Sequence, residues 1–218
     1  MPITLLDQTL KFPHPRTADA QGLVAIGGEL SVDRLLLAYR SGIFPWTVSP
    51  VSWWSPDPRA IIELEQLHVS ASLKKVLRKG IFQVTTNRAF SQVIRNCATR
   101  GGEPAETWIT EEFIQAYTRL HELGHAHSVE VWRTGELVGG VYGVAIGGLF
   151  AGESMFHRAS NGSKVALAHL VEHLRHRQFR LFDIQMLTPV TRQMGGIAIP
   201  QNQYLERLEQ AVTAQCQF

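Results

Sequence analysis

Three short stretches hold residue types that do chemistry. In "FRLFDIQML" Asp183 and Gln185 stand two apart, and the period of a strand puts both on one face, with Phe182, Ile184 and Met186 on the other. An acid and an amide in so apolar a run need partners or a purpose. Either they are a satisfied buried pair, or the carboxylate polarises an amide that grips a reacting group. "GESMF" sets Glu153 at the end of another strand-like run, either as a capping or solvated carboxylate or as a second acid in a cleft shared with that pair. "HELGH", residues 121–125, fits H-E-x-x-H, in which two histidines on one helix face hold a zinc ion for hydrolysis.

The zinc reading requires one helix to run through both histidines. Thr110 suits an N-cap, Glu111 and Glu112 suit the positive end of the dipole, and Phe113, Tyr117 and Leu120 form an apolar stripe. Gly124, however, stands where a left-handed residue closes a helix, and "HSVEVW" alternates as a strand does. His125 is therefore expected past the helix end, and no third ligand follows at an obvious spacing. No metal site is assigned.

Two further features bear on nucleic acid. Trp46, Trp53 and Trp54 lie in Pro-rich segments, and Trp108 and Trp132 complete the set; each either anchors a loop or offers a face on which a base can stack. "LKKVLRKG" puts Lys74, Lys75, Arg78 and Lys79 on a short helix, with Arg88, Arg95 and Arg100 soon after. This is either a solvated face or a patch that tracks phosphates. The net charge of only +2 hides the concentration.

The elements that must position these groups follow from the pattern. Residues 12 to 60 are rich in Pro, Gly and Trp and read as loops and short strands around one helix at 31–39, with Ser31 as N-cap. Strands are expected at 60–65 and at "FQVTTN", with helices at "SASLKKVLRKG", closed by Gly80, and "NRAFSQVIRNCA", capped by Asn87. Residues 99–106 read as a polar loop. From residue 127, three strands separated by turns at Thr134-Gly135 and Gly147-Gly148 form an antiparallel meander. The amphipathic helix "SKVALAHLVEHLRHR" then crosses to the strand of Asp183 and Gln185, which implies a parallel pairing. A last helix covers "YLERLEQAVTAQ".

The expected class is α+β: a small N-terminal α/β domain over residues 1–62, then over 63–218 a domain resembling the acyl-CoA N-acyltransferase fold. The junction "GESMFHRASNGSKVAL" lacks the Gly-rich pyrophosphate loop that a coenzyme A enzyme uses, so no cofactor is implied. An acetyl-CoA-dependent N-acetyltransferase is the alternative. The 218 residues are 44% hydrophobic, enough to bury a core. No secretory signal or membrane span is expected, and with only Cys97 and Cys216 present a reducing cytoplasm is the expected location.

The blocks "GIFPW", "WWSPDPRA", "TWIT", "LHELGHAHSVEVW", "GELVGGVYGV", "GESMF" and D-x-Q occur in this order. The chain resembles leucyl/phenylalanyl-tRNA–protein transferases from about Phe12 to the final helix. The resemblance implies transfer of Leu or Phe, and Met less well, from aminoacyl-tRNA to proteins that begin with Arg or Lys, marking them for N-end rule degradation. It also implies that Trp46 and Trp108 hold the terminal adenosine, that Glu153 lies near that nucleotide and its aminoacyl group, and that Asp183 and Gln185 assist peptide-bond formation. Met155, Leu167, Leu170, Leu174 and Ile184 are the expected pocket for the aminoacyl side chain, Lys74, Lys75, Arg78 and Lys79 the contacts to the tRNA backbone, and a monomer the expected state. Gly162 and His157 depart from the family pattern, where Ala and Ser are usual.

Overall fold

A computed structural model describes residues 3–100, 103–104 and 107–218. In chain order the elements are β1 (Thr4–Leu6), β2 (Leu23–Gly27), α1 (Val32–Arg40), β3 (Phe44–Val48), β4 (Val51–Trp54), β5 (Arg59–Ile62), α2 (Ala71–Arg78), β6 (Gln83–Thr86), α3 (Phe90–Cys97), β7 (Thr99–Arg100) and β8 (Glu103–Pro104). There follow α4 (Glu111–Glu122), β9 (Ala126–Arg133), β10 (Glu136–Ile146), β11 (Leu149–His157), α5 (Gly162–His176), β12 (Leu181–Gln185), α6 (Pro189–Gln193), β13 (Gly196–Ile199) and α7 (Gln201–Val212). Residues 101, 102, 105 and 106 of the expected polar loop lie outside the described residues. Among the described residues no helix is long and apolar enough to cross a membrane.

Two main sheets result. The smaller has the order β1-β2-β4-β3, and the larger β13-β5-β12-β11-β10-β9-β6. The β9–β10 hairpin closes through Thr134 and Gly135, whose φ values of 52° and 83° give a turn that matches strand twist. β11 then passes through α5 to β12, which runs parallel to it. The α+β class and the meander, crossover helix and added strand are as the sequence implies. Helix α5 covers one face of the large sheet with Leu167, Leu170, Val171 and Leu174, while α1, α3 and α4 pack on the other against Tyr142 and Val144. Helix α7 adds Tyr204 and Leu208 against Ile61, Leu149 and Leu181.

One contact fixes the depth of α5. A Cβ on Gly139 of β10 would stand 2.6 Å from the Gly162 carbonyl carbon, and one on Gly162 would stand 2.7 Å from the Val138 oxygen. The first turn of α5 therefore rests backbone to backbone on β10.

Several expectations need correction. The short strands of the Pro-rich N-terminal segment, whose pairing the sequence left open, build a four-stranded sheet. The strand expected over 60–65 gives way to a 3-10 turn at Leu64–Gln66. β5 pairs with β12 and β13 in the larger sheet. The N-cap of α3 is Ala89, not Asn87. Asn87 binds Ser128 and His127, and Glu130, far along in sequence, takes the N–H groups of Arg88 and Ala89. β13 and α6 were not anticipated.

Candidate active site

β11 and β12 pair only through Leu149–Ala151 and Leu181–Asp183, after which β11 continues to His157 alone on that side. A cleft of about 440 Å³ opens where they part. Its floor holds Glu153 and Gln185, its apolar side Met155, Leu167, Ile184, Val141, Phe182 and Val190, and its rim Trp46, Trp108, His157 and Ser163.

Both polar floor residues sit at breaks in strand register. Gly143 pairs with Gly152 and Tyr142 with Ser154, so Glu153 is the extra, bulged residue of β11. In β12 the pairing with β5 slips between Asp183 and Gln185, and Gln185 adopts φ 61°. Left-handed backbone at a non-glycine costs about 1–3 kcal/mol, and here the Gln185 N–H is held by Asp183 Oδ1 at 2.8 Å. The Gln185 side chain donates from Nε2 to Glu153 Oε1 at 2.8 Å, which leaves its own Oε1 as an acceptor. The Tyr117 hydroxyl donates to Glu153 Oε2 at 3.3 Å and is hydrogen-bonded in turn to the Tyr39 hydroxyl.

Asp183 and Gln185 are both buried but their side chains do not meet. Asp183 acts on the main chain of Gln185. Its two oxygens accept from Arg59 Nε at 2.9 Å, Arg59 Nη2 at 2.7 Å, the Tyr204 hydroxyl at 2.8 Å and the Gln185 N–H at 2.8 Å. Four donors fill the acceptor capacity of a carboxylate. Burial pushes the Glu153 carboxyl up to about 8; the nearby Asp183 charge adds to the rise, and the bonds from Tyr39, Tyr117 and Gln185 oppose it. At neutral pH Glu153 is mainly uncharged and Asp183 is balanced by Arg59, so the floor is polar with no net charge.

Of the five tryptophans, only Trp46 and Trp108 face the cleft. Trp46 is braced edge-on by Trp54 at 5.4 Å and Trp108 by Phe113 at 5.2 Å. Trp53 is fully buried and donates to the Gly27 carbonyl, Trp54 donates to Ser52, and Trp132 donates to Thr85.

The remaining expected positions divide. Met155, Leu167 and Ile184 line the cleft, but Leu170 and Leu174 do not. At three and seven residues beyond Leu167 they lie up to roughly 10 Å farther along the helix axis, wholly buried in the core under α5. Val141 and Phe182 were missed; Val141 stands opposite Met155 in the β10–β11 register, which only an alignment of strands reveals. Lys74, Lys75, Arg78 and Lys79 are exposed on and just beyond α2 and do not line the cleft. Arg95 is paired to Glu111 at 2.8 Å, and the Arg100 side chain lies outside the described residues.

The zinc pattern is broken as its own sequence implies. α4 ends at Glu122, Gly124 takes φ 79°, and the His125 N–H bonds back to the Leu120 carbonyl. His121 stacks on Phe90 with ring centroids 4.3 Å apart, and its Nδ1 is bound to the Ala126 carbonyl. The two imidazoles do not share a helix face.

A family profile described as "Leucyl/phenylalanyl-tRNA protein transferase" matches residues 61–209, and one for the N-terminal domain of the same transferases matches 28–57. The leucyl/phenylalanyl-tRNA–protein transferase of Syntrophobacter fumaroxidans is 50% identical over 97% of this chain and 92% of its own length. That of Tolumonas auensis is 48% identical over 98% and 95%. A solved GCN5-related N-acetyltransferase from Kribbella flavida is 10% identical, with a TM-score of 0.39, over 75% of this chain and 59% of its own. With the family profiles and near-full-length relatives at about half identity in agreement, the chain belongs to the leucyl/phenylalanyl-tRNA–protein transferase family of enzymes.

Proposed function

We propose that this chain transfers Leu or Phe, and Met less well, from aminoacyl-tRNA to the α-amine of proteins that begin with Arg or Lys, marking them for N-end rule degradation in the cytoplasm, and that it acts as a monomer. The observation that carries this reading is the Gln185–Glu153 pair on the floor of an apolar cleft flanked by two indoles. The indoles suit a terminal adenosine. Met155, Leu167, Ile184, Val141 and Phe182 suit an apolar aminoacyl side chain. Such a wall discriminates by only about 1–3 kcal/mol per methylene, so leakage to Met is expected. The basic face of α2 suits the tRNA backbone.

The chemistry is aminolysis of an ester. The amine lone pair attacks the carbonyl carbon, the C–N bond forms, the bond to the ribose oxygen breaks, and that oxygen takes up a proton while the nitrogen gives one up. An α-amine has an ordinary pKa of about 7.7–8.0, so a useful fraction is free base at neutral pH. A floor without net charge favours that free base over a buried, unpaired ammonium. Gln185 Oε1 accepts an N–H of the attacking amine and orients its lone pair, and Glu153 fixes the amide that does so. Asp183, with every lone pair engaged, orients Gln185 through its main chain and is not a proton acceptor. Alignment of this kind supplies up to roughly 7–11 kcal/mol.

The test is transfer of labelled Leu from Leu-tRNA to peptides beginning with Arg, Lys or Ala. Arg- and Lys-starting peptides are expected to be labelled and Ala-starting peptides not. Equal labelling of all three, or none, would remove the proposal.

A further inference from the structure

Arg59 lies outside the cleft, at the seam between the two sheets, and is 1% exposed. Its guanidinium touches four separate parts of the chain. It grips both Asp183 oxygens, donates from Nη1 to the Gly42 carbonyl at 3.1 Å after α1, and reaches the Tyr204 hydroxyl of α7 at 3.4 Å. The ring of Phe44 on β3 lies 4.8 Å from it and the ring of Tyr204 4.6 Å. Burial alone would lower the basicity of this group, but the Asp183 charge beside it raises it overall, so it is a permanent cation.

These contacts join the two walls of the cleft. On one side Asp183 holds Gln185 in its left-handed backbone conformation. On the other, Phe44 is two residues from Trp46, with the rings 6.4 Å apart, and both line the cleft. We propose that Arg59 is a positioning residue for the transfer reaction: it locks the carboxylate that sets the Gln185 amide and braces the strand that carries Trp46, so that amide and indole face each other at a fixed spacing. The assignment rests on the transfer reading above. A planar fork is required, because one ammonium cannot bind two carboxylate oxygens and the Gly42 carbonyl in one plane while lying between two rings.

The experiment is steady-state transfer from Leu-tRNA to an Arg-starting peptide, with thermal unfolding of each variant measured alongside. Arg59→Lys keeps the charge and loses the fork. Its kcat is expected to fall about 10- to 100-fold, the scale of a small misplacement at a reacting centre, with a smaller rise in KM for Leu-tRNA from the displaced Trp46. Tyr204→Phe keeps the ring and removes one donor to Asp183; kcat is expected to fall about 3- to 10-fold with little change in Tm. The charge-neutral pair Arg59→Met with Asp183→Asn is expected to fold and to lose kcat as far as Arg59→Lys does. If Arg59→Lys fails to fold, the other two variants decide. Folded variants with wild-type kcat, or losses confined to KM or proportional to the unfolded fraction, would overturn this assignment alone. A wild-type chain that transfers nothing would overturn the transfer reading and this assignment with it.

Discussion

The amide of Gln185 and the carboxyl of Glu153 meet at 2.8 Å across the gap where β11 and β12 part. Each comes from a strand whose register breaks at or beside that residue. The amide is thus aimed by two independent holds, Glu153 on its side chain and Asp183 on its main chain. Gln185→Ala removes the aimed oxygen but no buried charge. Its kcat is expected to fall about 10²- to 10³-fold, the usual loss for a single preorganised polar group at a reacting centre, with a Tm close to wild type. Single-turnover transfer with bound Leu-tRNA checks this.

Glu153 ties stability to pH. Its folded pKa of about 8 is above the ordinary 4.5, so the folded chain holds this proton more tightly than the unfolded chain. The resulting stabilisation is complete below about 4.5 and is lost as pH rises through about 8. His127, lowered by burial to about 4 from 6.5, acts in the opposite sense below its ordinary value. The informative window is therefore about 6.5 to 9. Wild-type unfolding free energy from urea titration is expected to fall across it by an amount on the order of 1–3 kcal/mol. Glu153→Gln is expected to flatten that slope.

The indoles separate by role. Trp46→Ala and Trp108→Ala are each expected to raise KM for Leu-tRNA by about 5- to 100-fold, from roughly 1–3 kcal/mol of lost stacking, with smaller changes in kcat. Trp53→Ala is expected to lower stability by about 3–5 kcal/mol, as loss of a large core side chain does, and to leave KM of the folded fraction unchanged. Kinetics and urea unfolding on the three variants distinguish the two behaviours.

The basic face of α2 is tested by salt. Replacing Lys74, Lys75, Arg78 and Lys79 with Ala is expected to weaken tRNA binding at low salt and to reduce the slope of log affinity against log salt by up to about 3–4. Transfer from a minimal aminoacyl-adenosine donor is expected to be unaffected. Filter binding from 50 to 200 mM salt gives the slope.

The sequence discloses whatever is local. Period-two alternation and two-residue turns reveal the meander, a heptad-like stripe reveals α5, and Gly124 ends α4 before its second histidine, as a helix-closing glycine ahead of an alternating run implies. What it hides is long-range or irregular. The bond between Arg59 and Asp183 spans 124 positions, and nothing near either residue signals the other. The partner of the residues that lead into α3 is likewise remote: Glu130 takes the N–H groups of Arg88 and Ala89. β13 is four residues, the first of them Gly196 and the last followed by Pro200, too short to show a period. In the N-terminal segment, register shifts in β2 and β3 against β4 break the alternation that would have announced a sheet. Leu170 and Leu174 have the right chemistry for the pocket and the right helix face, and only their distance along the axis excludes them.

The seating of α5 on β10 carries a consequence for substrate choice. Because Gly139 and Gly162 meet without a methyl between them, the first turn of α5 sits as close to β10 as the main chain permits. A single added carbon at either glycine would act as a shim, lifting the first turn and deepening the chamber beneath it. The bore of the cleft is thus gauged by two residues that do not line it, and evolution can retune it there while leaving every lining side chain in place.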